Sequence, residues 1–194
     1  MPNAVYPENI AAILEHNRAF VAAGEGEGLA SPKRPGKRVA VLSCMDTRLT
    51  YLLPRALGLD GGDAKIIKVA GATVIEPYGE VMRSLLVAVA ELGVTDIMVV
   101  GHTDCGTCGM EAHHMLDELV AAGLPRERLD AALSADGNAG RERVERFLMG
   151  FDELESDVAR TVACIKGHPL MPPCVRVRGF TIEIETGELS PVAC

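Results

Sequence analysis

Three side chains that can bind a transition metal lie close together in the stretch VVGHTDCGTCGM (residues 99–110): His102, Cys105 and Cys108. A fourth, Cys44, lies far upstream in the segment CMDTR. Catalytic zinc commonly takes three protein ligands, with Cys2His among the known sets, and leaves its fourth position to water. Four protein ligands would instead close the site and make it structural. Cys105 and Cys108 also form a C-x-x-C motif, which can be a redox pair.

The segment CMDTR carries an acidic and a basic side chain two positions apart, Asp46 and Arg48. A guanidinium beside a carboxylate keeps it ionised and fixes its direction through paired hydrogen bonds. A carboxylate held in this way can accept a hydrogen bond from zinc-bound hydroxide and orient that oxygen for attack. We therefore predict that Asp46 and Arg48 form a catalytic pair, and that Asp46 does not bind the metal.

Two predicted strands must bring these residues together. The segment KRVAVLSC (37–44) reads as a buried strand that ends at Cys44, and DIMVVGH (96–102) as a strand that ends at His102. Open α/β sheets bind ligands beyond the carboxyl ends of their strands, so these two ends can deliver a thiolate and an imidazole to one point. Gly71 follows a further predicted strand, AKIIKVA (64–70), and is expected to line the substrate pocket with its backbone.

The fold is predicted to be α/β, with a mainly parallel central β-sheet flanked by helices. The predicted strands alternate with helical segments, YGEVMRSLLVAVAELG (78–93) and MEAHHMLDELVAAG (110–123). A further helical stretch at 140–166 is broken near Gly150, and a late strand lies in VRVRGFTIEIETGEL (175–189). Strands that alternate with helices of this length imply right-handed crossovers and a parallel sheet.

The N-terminal part of the chain predicts a helical arm. The segment ENIAAILEHNRAFVAAG (8–24) has apolar residues at helical spacing and ends at Gly24, before a linker rich in Gly, Pro and charge. We therefore predict an N-terminal helical arm and linker at 1–36 and a zinc-binding α/β domain at 37–194. A loosely tethered helix of this kind suggests packing on a partner subunit.

Composition excludes several classes of protein. The chain has 194 residues, enough for one domain with a sizeable core, and its net charge of −8 argues against nucleic-acid or anionic-membrane partners. The apolar run at 84–100 is broken by Glu91 and Asp96, so no membrane span is predicted. No secretory signal is recognisable, and six cysteines in a chain of this length favour metal or catalytic use in the cytoplasm.

The segments CMDTRL, AGATV, GHTDCG and RGFTIEIETGEL resemble the motifs of β-class carbonic anhydrases, in particular the small branch typified by archaeal and mycobacterial members. The resemblance runs from about Val39 to the C-terminus. It implies an α/β sheet protein built as a homodimer or higher homo-oligomer, with arm helices crossing between subunits. It also implies one zinc per chain on Cys44, His102 and Cys105. The implied reaction is the reversible hydration of carbon dioxide to bicarbonate and a proton.

Two alternatives remain open from the sequence. Some relatives hydrolyse carbonyl sulfide or carbon disulfide with the same machinery, and no feature of this sequence decides between these substrates. A closed Cys3His structural site would add Cys108 to the three ligands named above. Such a module would have no need of the Asp46 and Arg48 pair.

Overall fold

The computed structural model describes residues 6–194, and this range contains five strands and seven helices. The strands are β1 (Val39–Cys44), β2 (Ala64–Val69), β3 (Asp96–His102), β4 (Arg176–Ile182) and β5 (Leu189–Val192). The helices are α1 (Glu8–Ala22), α2 (Leu49–Ala56), α3 (Glu80–Ala90), α4 (Ala112–Ala121), α5 (Arg126–Ser134), α6 (Gly137–Leu148) and α7 (Leu154–Gly167). A short 3-10 turn, Ala70–Ala72, follows β2 directly.

The five strands form one sheet in the order β2-β1-β3-β4-β5. All neighbouring pairs are parallel except β4 and β5, which form an antiparallel hairpin. The chain adds β2 on one side of β1 and β3 on the other, so the strand order reverses between β1 and β3. The carboxyl ends of β1 and β3 flank this crevice, where open α/β sheets bind their ligands.

Alternating side chains of the buried strands feed two hydrophobic clusters, one on each face of the sheet. Ala40 and Leu42 of β1 belong to one cluster and Val41 to the other, as the two-residue period of a strand requires. The first cluster also contains residues of α3 and α7, and the second contains Leu49 and Leu53 of α2. Helices therefore cover both faces of the sheet, and the predicted fold class is confirmed.

Three elements were not predicted from the sequence. Helix α2 follows the CMDTR segment directly, although it contains Pro54. Helix α5 precedes the predicted helical stretch, which the structure divides into α6 and α7 on either side of Gly150. The late strand ends at Ile182, and the chain returns as β5 after a turn in which Gly187 has a φ of 76°.

The chain divides into two compact units, the first ending at Pro32 and the second covering Lys33–Cys194. The first unit contains α1, which ends two residues before Gly24, and positions 1–5 of the predicted arm lie outside the described residues. No residue of α1 is buried, and the Ile13 side chain is 63% exposed. Among residues 6–194, no helix is long and apolar enough to cross a membrane.

Candidate metal centre

The three predicted metal ligands lie together in the interior of the second unit. One ligand atom from each of Cys44, His102 and Cys105 lies within 4.8 Å of the other two. Their residues are 4%, 1% and 8% exposed, respectively. Cys44 is the last residue of β1 and His102 the last of β3, so the two adjacent parallel strands deliver them to the same edge of the sheet.

The geometry of this group fits a tetrahedral zinc ion. The two sulfurs are 3.9 Å apart, and two Zn–S bonds of ordinary length at a tetrahedral angle would place them about 3.8 Å apart. The Nε2 atom of His102 is buried and has no hydrogen-bond partner among the described residues. Because a buried polar atom without a partner is costly, an imidazole nitrogen in this position fits a metal ligand.

A hydrogen bond on the other side of the ring fixes which nitrogen is free. Nδ1 of His102 lies 2.8 Å from the carbonyl oxygen of Thr103, which can only accept, so Nδ1 carries the proton and Nε2 keeps its lone pair. The Thr103 hydroxyl donates to Glu183 at 2.8 Å and accepts from the Ile184 backbone amide at 3.1 Å. The segment after β4 thus holds the backbone that orients the ring.

The two thiols shift each other's pKa in opposite directions. A hydrogen bond from Cys44 to Cys105, together with burial, raises the pKa of Cys44 far above its usual range. The same hydrogen bond is the largest of several contacts that lower the pKa of Cys105 well below its usual range, with His102 and Thr107 adding to it and burial opposing it. Burial is the largest influence on His102 and lowers its pKa, but Cys105 and the Thr103 carbonyl outweigh it and leave that pKa raised overall.

Asp46 lies beside the ligand group and is held by Arg48. The Asp46 carboxylate accepts from Nε and Nη2 of Arg48 at 3.1 and 2.8 Å, and from the Arg48 backbone amide at 2.8 Å. These bonds lower the pKa of Asp46 to about 2, so the carboxylate is ionised at neutral pH and can only accept hydrogen bonds. Its Oδ2 atom is 4.0 Å from His102 Nε2, near the ligands but not one of the three.

Asp104 completes this arrangement and was not singled out from the sequence. Nη1 of Arg48 donates to the Asp104 carboxylate at 2.7 Å, and Nη2 donates to the Asp104 carbonyl oxygen at 2.8 Å. Arg48 therefore ties the loop after β1 to the loop after β3. Asp104 has a φ of 52°, a left-handed conformation that Asp tolerates better than most residues. The one feature of the sequence that could have pointed to Asp104 is its position between the predicted ligands His102 and Cys105.

Gly71, the predicted pocket residue, lies in the turn after β2 with a φ of 68°. Its backbone amide and that of Asp46 both face the Cys44 sulfur and lower the pKa of that thiol. The Thr73 hydroxyl donates to the buried Asp157 carboxylate at 2.7 Å, which ties this turn to helix α7. The left-handed conformation at position 71 favours glycine.

A cavity of about 680 Å³ lies against this turn. Gly71, Thr107 and Phe151 line the part of its wall that is nearest the ligand group, and Thr107 Oγ1 is 3.0 Å from Cys105 Sγ. Further along, the wall includes the apolar side chains of Ile75, Met110, Met115, Phe147, Leu148 and Met149. The wall also carries charged side chains, among them Arg146, Glu153 and Arg160, so it is mixed rather than wholly apolar.

Cys108, the fourth candidate ligand, lies outside the three-residue group. Its side chain is exposed, and its sulfur lies 3.7 Å from the carbonyl oxygen of Asp152. Its backbone forms an isolated parallel bridge with Phe151. This geometry suits a residue that packs a loop.

Comparison with known proteins gives the family. The sequence profile of the family described as "Carbonic anhydrase" matches residues 39–189. The protein named "Putative carbonic anhydrase YvdA" of Bacillus subtilis (strain 168) is 43% identical over 184 residues, which are 95% of this chain and 91% of that protein. A carbon disulfide hydrolase of Acidianus sp. (strain A1-3) is 29% identical over 160 residues, covering 79% of this chain and 76% of that protein.

A solved structure agrees with this assignment. The β-carbonic anhydrase isoform I of Trichomonas vaginalis superposes with a TM-score of 0.84 at 26% sequence identity, covering 96% of this chain and 98% of that one. The resemblance found in the sequence is therefore confirmed. The chain belongs to the β-carbonic anhydrase family of zinc-dependent lyases.

Proposed function

We propose that this protein catalyses the reversible hydration of carbon dioxide to bicarbonate and a proton, with one zinc ion held by Cys44, His102 and Cys105. The observation that carries the proposal is the ionised Asp46 carboxylate, fixed by Arg48 beside a buried Cys2His group. Zinc in such a site would lower the pKa of a bound water to about 7 and supply hydroxide at neutral pH.

Asp46 and Arg48 divide the orienting role between them. Both Asp46 oxygens accept hydrogen bonds from Arg48, so the carboxylate has a fixed direction. In this role an Asp46 oxygen accepts a hydrogen bond from the hydroxyl that attacks the substrate. Arg48 is itself anchored on Asp104, which keeps the pair from rotating together. The apolar part of the adjacent cavity's wall, including Phe151, suits carbon dioxide, which carries no charge and binds few polar partners.

Carbon disulfide or carbonyl sulfide is the alternative substrate, and the similarity to a carbon disulfide hydrolase is the support for carbon disulfide. The relative named for carbonic anhydrase shares more of its sequence with this chain, 43% against 29%, and this supports carbon dioxide. A closed Cys3His structural site is disfavoured because Cys108 lies outside the ligand group.

We further propose a homodimer or higher homo-oligomer in the cytoplasm. Helix α1 presents apolar side chains, including Ile10, Ile13 and Val21, without burying any residue, and this supports exchange of arms between subunits. The two ligand thiols must stay reduced to bind metal, which supports a reducing compartment.

The ligand set predicts the metal content of variants. Cys44→Ser and His102→Ala should each lose most of about one zinc per chain, because either change removes a donor from a three-ligand set. Cys108→Ser is the matched control and should keep its zinc. Metal content is measured by atomic emission on purified protein. Full zinc retention in Cys44→Ser or His102→Ala would contradict the ligand set, and zinc loss in Cys108→Ser would favour the closed site.

The catalytic pair predicts the rate of hydration. Stopped-flow assays should detect carbon dioxide hydration by the wild type, with turnover of carbonyl sulfide and carbon disulfide measured in parallel.

Asp46→Asn should keep zinc but lose about 10- to 100-fold in rate. The reason is that an amide has one accepting oxygen where the carboxylate has two, so it cannot accept both from Arg48 and from the attacking hydroxyl in the same way. Asp63→Asn alters a surface ion pair with Lys37 and serves as control. A wild type that turns over only the sulfur substrates would overturn the choice of carbon dioxide, and an unchanged rate in Asp46→Asn would make the pair structural.

The arm helix predicts the state of assembly. Ile13→Lys should weaken self-association, because it places a charge on the exposed apolar side of α1. Ala19→Lys is the control, since it adds the same charge at an exposed position on the other side of the helix. Sedimentation velocity over a range of protein concentrations measures the effect. A wild type that sediments as a monomer at all concentrations would refute the oligomer.

A further inference from the structure

Thr107 contacts a proposed metal ligand from outside the ligand group. Its hydroxyl oxygen lies 3.0 Å from the Cys105 sulfur, and this is the one hydrogen bond its side chain makes among residues 6–194. The Thr107 backbone amide also faces the same sulfur. Thr107 lines the cavity as well, so its side chain separates Cys105 from that space.

Two glycines leave the space that Thr107 occupies. A Cβ atom at Gly71 would lie 2.9 Å from the Thr107 hydroxyl oxygen, and a Cβ at Gly150 would overlap the Thr107 carbonyl oxygen. The same carbonyl oxygen accepts from the Phe151 backbone amide at 3.2 Å. A side chain at Gly71 or Gly150 would displace Thr107, so glycine at both positions lets the Thr107 hydroxyl reach Cys105.

The donors around the two sulfurs are balanced. Cys44 faces the backbone amides of Asp46 and Gly71, and Cys105 faces the amide and the hydroxyl of Thr107. When both sulfurs are thiolates, neither can donate to the other, so among residues 6–194 these four groups remain to stabilise them, and the Thr107 hydroxyl lies within hydrogen-bond distance of a sulfur. Three of the four belong to the backbone and survive any substitution that keeps the fold. The Thr107 hydroxyl is the one that a side chain supplies.

We propose that Thr107 is a positioning residue for Cys105, whose hydroxyl donates a hydrogen bond to the thiolate that binds zinc and thereby sets the strength of that ligand. The inference rests on the proposed function, since it assumes a metal on Cys105. A hydroxyl can donate where a thiolate can only accept, so the direction of the bond follows from the ionised sulfur. Groups that hydrogen-bond to metal ligands orient them and tune the metal, and their loss typically costs about 10- to 100-fold in metal affinity.

The test replaces the hydroxyl and keeps the shape. Thr107→Val removes the donor with little change in volume, Thr107→Ser restores it without the methyl group, and Thr95→Val makes the same change at a hydroxyl that bonds Asp96 instead. Each variant is titrated with zinc against a chromophoric chelator, and its cobalt(II) form is recorded for the sulfur-to-cobalt charge-transfer band. Neither readout depends on any substrate.

Thr107→Val should bind zinc about 10-fold more weakly than the wild type, because the buried thiolate loses a donor that stabilises its ionised form. Its cobalt band should move to lower energy, because a bound sulfur without this hydrogen bond donates more charge to the metal. Thr107→Ser and Thr95→Val should match the wild type in both respects. Wild-type affinity and an unshifted band in Thr107→Val would overturn this role alone, and so would a Thr107→Ser variant that behaves like Thr107→Val. A wild type that binds cobalt without a thiolate band would overturn the proposed metal site together with it.

Discussion

The site depends on two buried sulfurs that lie 3.9 Å apart. A protein interior cannot hold two thiolates at that distance without a compensating cation. The pKa of Cys44 is raised and that of Cys105 is lowered, which keeps the pair from carrying two negative charges. The Nε2 atom of His102 has no hydrogen-bond partner among residues 6–194 and points to the same solution, since it adds a third metal donor without a competing hydrogen bond. A divalent cation satisfies all three atoms at once, and the sheet and its loops are arranged to keep them in place.

Parallel pairing of β1 with β3 positions the proposed ligands. Arg48 joins the loop that follows β1 to the loop that follows β3. Its guanidinium binds Asp46 on the first loop and Asp104 on the second, so one side chain both orients the Asp46 carboxylate and joins the two halves of the proposed site. Five donors in a fixed planar fork make arginine suited to this double role, which lysine could not fill. The orientation of Asp46 and the connection between the two loops therefore depend on the same set of hydrogen bonds.

The sequence predicted the parts of the site that strand ends determine. Cys44 and His102 each end a strongly apolar run, and this pattern alone predicts that they meet beyond a parallel sheet. The contributions of Asp104 and Thr107 depend on a left-handed φ and on the approach of a distant turn, neither of which periodicity encodes. The elements α2 and β5 were missed for a related reason: each contains a proline, which pattern rules assign to helix and strand boundaries, although α2 tolerates it in a short helix and β5 at the edge of the sheet.

X-ray absorption spectroscopy of the zinc-loaded protein tests the open Cys2His site most directly, because the sulfur shell counts the thiolate ligands. The expected spectrum has two sulfurs at about 2.3 Å and two nitrogen or oxygen atoms at about 2.0 to 2.1 Å, matching Cys44, Cys105, His102 and one water. Cys108→Ser should give the same spectrum, since its sulfur lies outside the group. A wild-type shell of three sulfurs that falls to two in Cys108→Ser would contradict the open site and identify a closed structural one.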